Sequence, residues 1–373
     1  MKKLFMILLS LLLIGCTAPQ QPDDPVPSAS ADPVVKTTFT SIEAGFDTVY
    51  YLTFYSSKPE HELKAIFNES VALAYSYHQL FDIYNTYPNI NNVKTINDHA
   101  GIEPVKVDKA IIEMLKLAKE MNQMSHGEFD VTYGSVLKVW HNYREEYEST
   151  GKGPVPNTNE LTKAEISTGW EHIHIDDEAE TVYIDQSGIS LDVGGIAKGF
   201  TTEKIAAFLE LKGIDTAIIN FGGNNRVIGS KPDGSLWGLG VEEPGTGSTL
   251  LAVDLAGPVS VVTSGDYHRY YVSEDGNTYH HIIDPETLYP AVHYRSVTIF
   301  TKDSGYADAL STSLFTMNIE DGKALLNEFN KAHPETPASA IWICGKDKKT
   351  EDGFVTGNFF ITSTEDLTNK IRH

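Results

Sequence analysis

The sequence predicts an α+β fold with a mixed, largely antiparallel sheet and flanking helices. Short β-like runs dominate the chain from about residue 167 onward, whereas apolar residues at helical spacing are concentrated before that point. Among the later strands only two helices are expected, one at about 197–212 and one after Ala307. Strand clusters with isolated helices are typical of α+β folds. The lack of a GxGxxG segment after a strand disfavours a Rossmann domain.

Residues 1–15 are expected to form an export signal. Lys2 and Lys3 precede an apolar run over residues 4–14, which is shorter than the about 20 residues of a membrane-spanning helix. The Leu-Ile-Gly-Cys segment at 13–16 matches the end of a bacterial lipoprotein signal, so Cys16 would carry lipid. The protein would then be exported and anchored to the outer face of the bacterial cell membrane. An ordinary cleaved signal followed by an incidental cysteine is the alternative.

Residues 16–36 are rich in Pro, Ser, Ala and Asp and are expected to form a disordered tether. The remaining residues, 37–373, are enough for one large domain or two closely packed ones. Apart from Cys16, the only cysteine is Cys344, so no intramolecular disulfide is expected in the mature protein. Cys344 lies in an apolar run that predicts a buried strand and a structural thiol.

The chain is strongly acidic. Its formal net charge is −22, and loss of the two positive charges of Lys2 and Lys3 would make it −24. Such a surface repels nucleic acid and anionic lipid, which excludes both as expected partners of the folded domain. Because 41% of the residues are hydrophobic, the chain is nevertheless expected to be globular.

The first half of the chain is predicted to contain one strand and two helices. Residues 47–55 alternate and are rich in aromatics, which indicates a strand. Residues 60–82 and 108–124 carry apolar residues at helical spacing, and Gly127 would stop the second helix. The Asn-rich segment 84–98 between them is expected to be a loop. Later strands are predicted within residues 172–176, 181–185, 216–222, 225–230, 237–243, 250–255, 260–265, 294–301 and 339–345.

Asp308 and Thr312 form a candidate metal site. They are four residues apart at the expected start of a helix, which puts both oxygens on one face with Ser311 beside them. Mg²⁺ prefers hard oxygen ligands and takes few of them from protein. One carboxylate and one hydroxyl therefore suit a metal shared with a diphosphate. The alternative is that Asp308 caps the helix by accepting hydrogen bonds from first-turn N–H groups.

The segment SLDVGGIAKGF at 190–200 leaves a β-like run and enters a helix. Glycines at such a junction let the backbone approach a ligand closely, and a helix N-terminus favours anionic groups. Lys198 adds a mobile positive charge that a diphosphate can use. A tight strand-to-helix turn with a solvated lysine would explain the same residues.

His281 is the candidate proton acceptor. In an extended HHIIDP segment, His280 and His281 would point to opposite faces. Histidine titrates near neutral pH, as the removal of a proton from an attacking hydroxyl requires. A structural histidine is the plain alternative, and Asp284 would be the other group able to take the proton.

Four segments together resemble the ApbE-type FAD:protein FMN transferases, and the resemblance runs from about Phe46 to the C-terminus. It implies that the chain transfers FMN from FAD to a threonine of an exported acceptor protein through a phosphoester bond, with Mg²⁺ as cofactor and AMP as second product. No segment of the acceptor type occurs in the chain, so the acceptor is expected to be another protein. The segments are FDVTYGSVLKVW (129–140), SLDVGGIAKGF (190–200), TSGDYHRYY with HHIIDPETLYP (263–271 and 280–290), and YADALSTSLF (306–315).

The resemblance also implies roles for individual residues. The family's metal ligands match Asp308 and Thr312, with a third side chain at Ser311 and the carbonyl of Gly195, and its histidine matches His281. Residues that match FAD contacts are Phe46, Tyr84, Glu128, Phe129, Asp130, Asp192, Lys198 and Ile283. The chain departs from the family pattern at Leu288, where glycine is usual, and at Asn224, where aspartate is usual. Neither departure is expected to touch the proposed metal ligands.

Two other functions fit the same residues. With water as nucleophile, the site would hydrolyse FAD to FMN and AMP, and a lipoprotein that only binds FAD would need no metal. The transferase reading requires that the turn before the 197–212 helix and the Asp308 face lie close together and share a cation. Asp308 is expected to be partly exposed, so that its replacement would leave the fold intact.

Overall fold

The computed structural model describes residues 33–348 and 352–372. The predicted signal, Cys16 and most of the predicted tether lie outside the described residues. The first strand begins at Val35, so the last two residues assigned to the tether, Val35 and Lys36, belong to the folded domain. Within the described ranges, no helix is both long and apolar enough to cross a membrane.

The predicted helices are present at about the predicted positions, and further helices occur at 93–98, 134–150, 158–165 and 319–332. The α-helices of the described residues are α1 (Glu60–Phe81), α2 (Val93–Asp98), α3 (Lys109–Met124), α4 (Gly134–Thr150), α5 (Thr158–Glu165), α6 (Ala197–Leu211), α7 (Ser304–Thr316) and α8 (Ile319–Ala332).

Each predicted β-like run contains a strand. The strands are β1 (Val35–Ser41), β2 (Tyr50–Ser56), β3 (Val105–Lys106), β4 (Ile173–Asp176), β5 (Thr181–Ile184), β6 (Ala217–Phe221), β7 (Asn224–Ile228), β8 (Trp237–Glu242), β9 (Thr249–Leu255), β10 (Val259–Gly265), β11 (Tyr270–Val272), β12 (Thr278–His280), β13 (Ser296–Thr301), β14 (Ser339–Gly345), β15 (Phe354–Thr356), β16 (Phe359–Ser363) and β17 (Ile371–Arg372).

Nine strands form the main sheet in the order β1-β2-β6-β7-β10-β13-β14-β16-β15. All its neighbouring pairs are antiparallel. Smaller sheets pair β11 with β12, β9 with β17 and β8, and β5 with β3 and β4. The α+β prediction is therefore confirmed, and the pairing is antiparallel even where helices separate neighbouring strands, as between β2 and β6 and between β13 and β14.

Helix α7 is the central helix of the core. It packs on β10 and β13 and against α6, and most of its residues are buried. A helix that is buried on all sides needs apolar or small residues around its whole circumference. The segment from Ser304 to Thr316 consists mostly of such residues. The polar side chains that α7 does carry are thus held rigidly inside the protein.

The predicted loop at 84–98 is wrong in its second half, which forms α2. Asn92 accepts a hydrogen bond from the Thr95 backbone N–H at 3.0 Å, and the Thr95 hydroxyl oxygen accepts one from the Asn92 backbone N–H at 3.2 Å. This reciprocal capping stabilises a short helix that its Asn-rich composition disfavours. Apolar Val93 and Ile96 then anchor the helix in the core.

Helix α7 begins at Ser304, earlier than expected. Asp303 caps it by accepting hydrogen bonds from the backbone N–H groups of Gly305 and Tyr306 at 2.8 and 3.0 Å. Asp308 therefore lies in the second turn, where the first-turn N–H groups are out of reach. Asp308 does not cap its own helix; its carboxylate accepts instead the backbone N–H of Gly199 in the first turn of α6.

Candidate functional site

Helices α6 and α7 touch at Gly199 and Asp308. The Gly199 backbone N–H donates to Asp308 Oδ2 at 2.8 Å. A Cβ atom at Gly199 would collide with the carbonyl oxygen of Ser304 and lie 2.5 Å from Asp308 Cβ. Glycine is required at this position because the two backbones approach so closely.

The turn before α6 faces Thr312. A Cβ atom built on Gly195 would lie 3.3 Å from Thr312 Oγ1 and 3.1 Å from the Phe129 ring. Gly195, Thr312 and Asp308 are therefore neighbours, although more than a hundred residues separate the first from the others. The turn and the Asp308 face lie close together, as the sequence analysis required.

Asp308 is buried, with 6% of its surface exposed, so the expectation of a partly exposed carboxylate is wrong. Burial raises the pKa of Asp308, and the nearby Lys198 charge and the Gly199 hydrogen bond oppose that shift. Asn224 Nδ2 also lies 3.5 Å from Asp308 Oδ2. The expectation that Asn224 would not touch a proposed metal ligand is therefore wrong as well.

The two hydroxyls on α7 have different surroundings. Ser311 Oγ is buried, lies 2.8 Å from Ser264 Oγ and donates to the Asp308 carbonyl at 2.9 Å. The Thr312 hydroxyl makes only a longer contact of 3.3 Å to the same carbonyl. Thr312 therefore presents the freer oxygen toward Gly195, whereas Ser311 ties α7 to β10.

The two adjacent histidines also differ in their hydrogen bonding. His280 is buried, and its Nε2 lies 2.8 Å from the carbonyl oxygen of Ala291, a structural contact. His281 Nδ1 is buried and has no hydrogen-bond partner among the described residues. Burial, and then the positive charges of Arg269 and other nearby cations, lower the pKa of His281 to about 3. The expectation that His281 titrates near neutral pH is therefore wrong: the ring is neutral at pH 7, and its Nδ1 is available to a ligand.

Asp284, the other candidate proton acceptor, is used by its own turn. Its Oδ1 accepts hydrogen bonds from the backbone N–H groups of Glu286 and Thr287 at 2.8 and 3.1 Å. The same turn contains Leu288 in the left-handed region, at φ 63°. Trp140 Nε1 donates to the Leu288 carbonyl at 2.9 Å, which holds the turn in this shape without the usual glycine.

Of the expected FAD contacts, Phe129, Asp192 and Lys198 lie closest to the helix contact. Phe129 is buried beside Gly195. Asp192 Oδ1 accepts a hydrogen bond from the Gly194 backbone N–H at 2.8 Å, which fixes the glycine turn. Burial raises the pKa of Asp192, and this hydrogen bond and nearby cations oppose that shift.

Glu128 and Asp130 are farther away. Burial raises the pKa of Glu128, and a hydrogen bond from Thr316 opposes the shift. Thr316 is the last residue of α7, about two turns beyond Asp308. Asp130 accepts a hydrogen bond from the Thr132 backbone N–H at 2.8 Å, and burial raises its pKa. These two carboxyl groups border the Phe129 segment and do not contact Asp308.

Phe46, Tyr84 and Ile283 sit in three different environments. Phe46 packs on the Phe221 ring at a centroid distance of 5.3 Å. Tyr84 is 57% exposed, and its ring centroid lies 5.1 Å from that of His141. Ile283 is nearly buried in a cluster with Trp140, where packing alone accounts for it. Only Tyr84 offers a large free aromatic face.

Besides Lys198, two arginines that no sequence pattern indicated act on this site. The charges of Arg144 and Arg269 both act on Tyr84, Asp192 and His281. Arg144 lies on α4 and Arg269 just before β11, so no local spacing connects them. Arg269 is nevertheless part of the TSGDYHRYY segment, which was the available signal.

A cavity of about 630 Å³ lies on the other side of the His280 segment. Its walls include Tyr279, His280, Tyr289 and Arg295. Neither His281 nor any residue of α6 or α7 lines it. We therefore locate the site by the α6–α7 contact, where the carboxylate, the glycine turn and the lysine meet.

This arrangement defines an α+β protein with a candidate site for a cation and a phosphate-containing ligand. The family model of the ApbE family matches residues 46–334. An FAD:protein FMN transferase of Treponema pallidum is 31% identical over 306 residues, covering 78% of this chain and 82% of the relative. One from Vibrio cholerae is 32% identical over 282 residues, covering 73% and 77%.

Solved structures agree. The ApbE protein of Thermotoga maritima superposes with a TM-score of 0.73 at 28% identity, covering 91% of this chain and all of that one. The flavin transferase ApbE of Vibrio cholerae gives a TM-score of 0.70 at 25% identity, again over 91% of this chain. The chain belongs to the ApbE family.

Proposed function

We propose that this protein is an enzyme that transfers FMN from FAD to a threonine of a protein acceptor. Relatives that are 31% and 32% identical are named FAD:protein FMN transferase. The observation that carries the proposal is the meeting of Asp308, Gly195 and Thr312 at the α6–α7 contact. The Lys198 charge acts on both Asp308 and His281.

The residues at the contact fit Mg²⁺. Asp308 is a buried carboxylate whose Oδ2 accepts the Gly199 hydrogen bond, and no hydrogen bond to its Oδ1 occurs within the described ranges. A cation beside it would offset the cost of burying the charge. Asp308, Thr312 Oγ1 and the Gly195 carbonyl would hold the ion through hard oxygens. When bound, Mg²⁺ would neutralise negative charge on the diphosphate of FAD.

The chain's own residues supply the proton chemistry. Neutral His281 would accept the proton of the acceptor hydroxyl through its free nitrogen. The hydroxyl oxygen would form a bond to the phosphorus of the FMN half while the bond from that phosphorus to the AMP oxygen breaks. Lys198 would stabilise the charge that develops on the AMP phosphate, and the His281 proton would pass to solvent. The products are a phosphoester-linked flavin and AMP.

The decisive experiment incubates the purified protein with FAD, Mg²⁺ and the unmodified form of a protein domain that carries flavin on threonine. Mass spectrometry of the domain should show an FMN-sized increase located on threonine. Free FMN and AMP without an adduct would assign the protein as an FAD pyrophosphatase. Unchanged FAD would mean that the protein only binds flavin and would refute both enzymatic assignments.

We also propose that the protein is exported and held on the membrane by lipid on Cys16. The support is the sequence of residues 1–16, with two lysines, an apolar run and a terminal Gly-Cys. Acceptors would then be proteins on the same side of the membrane.

A further inference from the structure

Two arginines stand apart from the rest. The chain has five arginines, and three of them pair with carboxylates: Arg226 with Glu203, Arg295 with Asp266 and Arg372 with Asp254. Arg144 and Arg269 have no carboxylate partner in the described part of the chain. Arg144 instead lies against His141 Nδ1, at 2.6 Å, and Glu145 contacts the other nitrogen of His141.

These two arginines lie on surfaces that pack together. Helix α4 packs on the β11–β12 hairpin, where the Tyr147 and Tyr271 ring centroids are 5.8 Å apart. Arg144 precedes Tyr147 by three residues and so shares its helix face. Arg269 lies in the bend directly before β11. Arg144 and Arg269 therefore both lie next to the α4–hairpin contact.

Both also border the candidate proton acceptor. Tyr270 pairs with His280 at the open end of the hairpin, so Arg269 and His281 are the residues that directly adjoin this last pair. Arg144 reaches the same region through His141, whose ring packs on exposed Tyr84. The influence of both charges on His281 agrees with this placement.

The two arginines contrast with the negative charge of the whole chain. With a formal net charge of −22, the surface repels acidic proteins over most of its area. Two unpaired guanidinium groups beside His281 form a local exception. Lys198 is the basic side chain whose charge acts on Asp308. The two arginines are therefore available to a different anion.

We propose that Arg144 and Arg269 bind carboxylate side chains of the acceptor protein and thereby place its hydroxyl at His281. This inference rests on the proposed FMN transfer. Arginine suits the role because its planar fork binds carboxylates bidentately. The pair would raise the affinity and the association rate for acidic acceptor segments and leave FAD binding to the α6–α7 contact.

The test uses direct binding. Two rhodamine-labelled peptides are compared, one with threonine flanked by aspartates and one with the aspartates replaced by asparagines. Anisotropy titrations in the presence of FAD and Mg²⁺ use the wild type, an Arg144→Ala/Arg269→Ala variant and a Lys138→Ala control. Lys138 is exposed on the same helix α4 but lies six residues from Arg144, on a different face.

We expect wild type and Lys138→Ala to bind the aspartate peptide about tenfold or more tightly than the asparagine peptide. The double variant should lose most of this difference, and added salt should weaken binding more in wild type than in the double variant. Equal binding of both peptides by the wild type, or an unchanged preference in the double variant, would overturn the proposal.

A measurement of FAD affinity by flavin fluorescence distinguishes the two anions that the arginines could bind, the FAD diphosphate and the acceptor carboxylates. If the double variant loses FAD affinity about tenfold and keeps its peptide preference, the arginines serve the FAD diphosphate and the acceptor assignment is wrong. Because peptide binding needs no turnover, its outcome is independent of whether the wild type transfers FMN. If the wild type prefers the aspartate peptide but does not transfer FMN, the proposed function is refuted and the role of the arginines is not.

Discussion

Leu288 adopts a backbone conformation that ordinarily favours glycine, with φ 63°, while its side chain is 95% removed from solvent. The left-handed conformation costs a non-glycine residue about 1–2 kcal/mol. Leu288→Ala should lose the burial and keep the strain, whereas Leu288→Gly should lose the burial and relieve the strain. We expect the glycine variant to be the more stable by about 1 kcal/mol in urea unfolding. An alanine variant of equal or greater stability would contradict this account of the turn.

Asp308 is best tested by a change that preserves its hydrogen bond. Asp308→Asn keeps an oxygen for the Gly199 N–H group but removes the charge that a cation needs. Transfer of FMN at limiting Mg²⁺ should fall by about a hundredfold or more, because a bound Lewis acid supplies several kcal/mol. The thermal unfolding midpoint should change little. Full activity of Asp308→Asn would remove Asp308 from the metal site.

His281 makes stability depend on pH. Its pKa falls from the ordinary 6.5 to about 3 in the folded protein. Between pH 6.5 and about 3, His281 binds a proton in the unfolded chain but not in the folded protein. The free energy of unfolding therefore decreases as the pH falls from about 6.5 toward 3. His281→Gln removes this contribution. Urea unfolding at pH 7 and pH 4.5 should show a smaller loss for His281→Gln than for wild type, and parallel losses would refute the assignment.

At the scale of elements, the contact between α6 and α7 sets the site geometry. Buried Arg226 holds Glu203 of α6 at 2.9 Å, and Glu203 accepts the backbone N–H of Ser304, the first residue of α7, at 3.0 Å. Gly199 adds the close backbone approach. The spacing of the two helices is thus fixed by a charged group at one point and by a missing side chain at another.

Gly199→Ala tests this contact. The added methyl group would meet the Ser304 carbonyl and Asp308 Cβ, so the helices must separate. We expect a loss of about 1–3 kcal/mol in the free energy of unfolding, together with weaker Mg²⁺ dependence of transfer. Gly322→Ala in α8 is the matched control, because its methyl group would meet Trp342 at an ordinary 3.4 Å. That variant should be neutral or more stable, since alanine favours helix by up to about 1 kcal/mol.

At the scale of the whole molecule, the sequence predicts elements better than contacts. Alternation and helical spacing locate α1, α3, α6 and the strands β2, β4 to β10, β13 and β14, because each pattern reflects burial of one face. Capping by Asn92 and Asp303 was missed, since these residue types also favour loops. Both corrected expectations about Asp308, its burial and its contact with Asn224, concern distances across the fold that no local pattern encodes.

The same limit explains the missed arginines. Arg144 and Arg269 acquire their meaning only when α4 packs on the β11–β12 hairpin. By contrast, the glycines of the 190–200 segment and the four-residue spacing of Asp308 and Thr312 carry their chemistry locally. The residues of the proposed metal and phosphate site could therefore be named from the sequence, whereas the surface proposed to receive the acceptor could not.

Membrane attachment is the remaining prediction about the whole protein. The folded domain is acidic, so its charge would not hold it on an anionic bilayer. Retention of the protein on the membrane should depend on lipid attached to the thiol of Cys16. In detergent phase partitioning, wild type and a Cys344→Ser control should enter the detergent phase as chains that begin at lipidated Cys16. Cys16→Ser should lack the lipid mass and accumulate as unprocessed precursor. Identical processing and partitioning of Cys16→Ser and wild type would instead favour an ordinary cleaved signal.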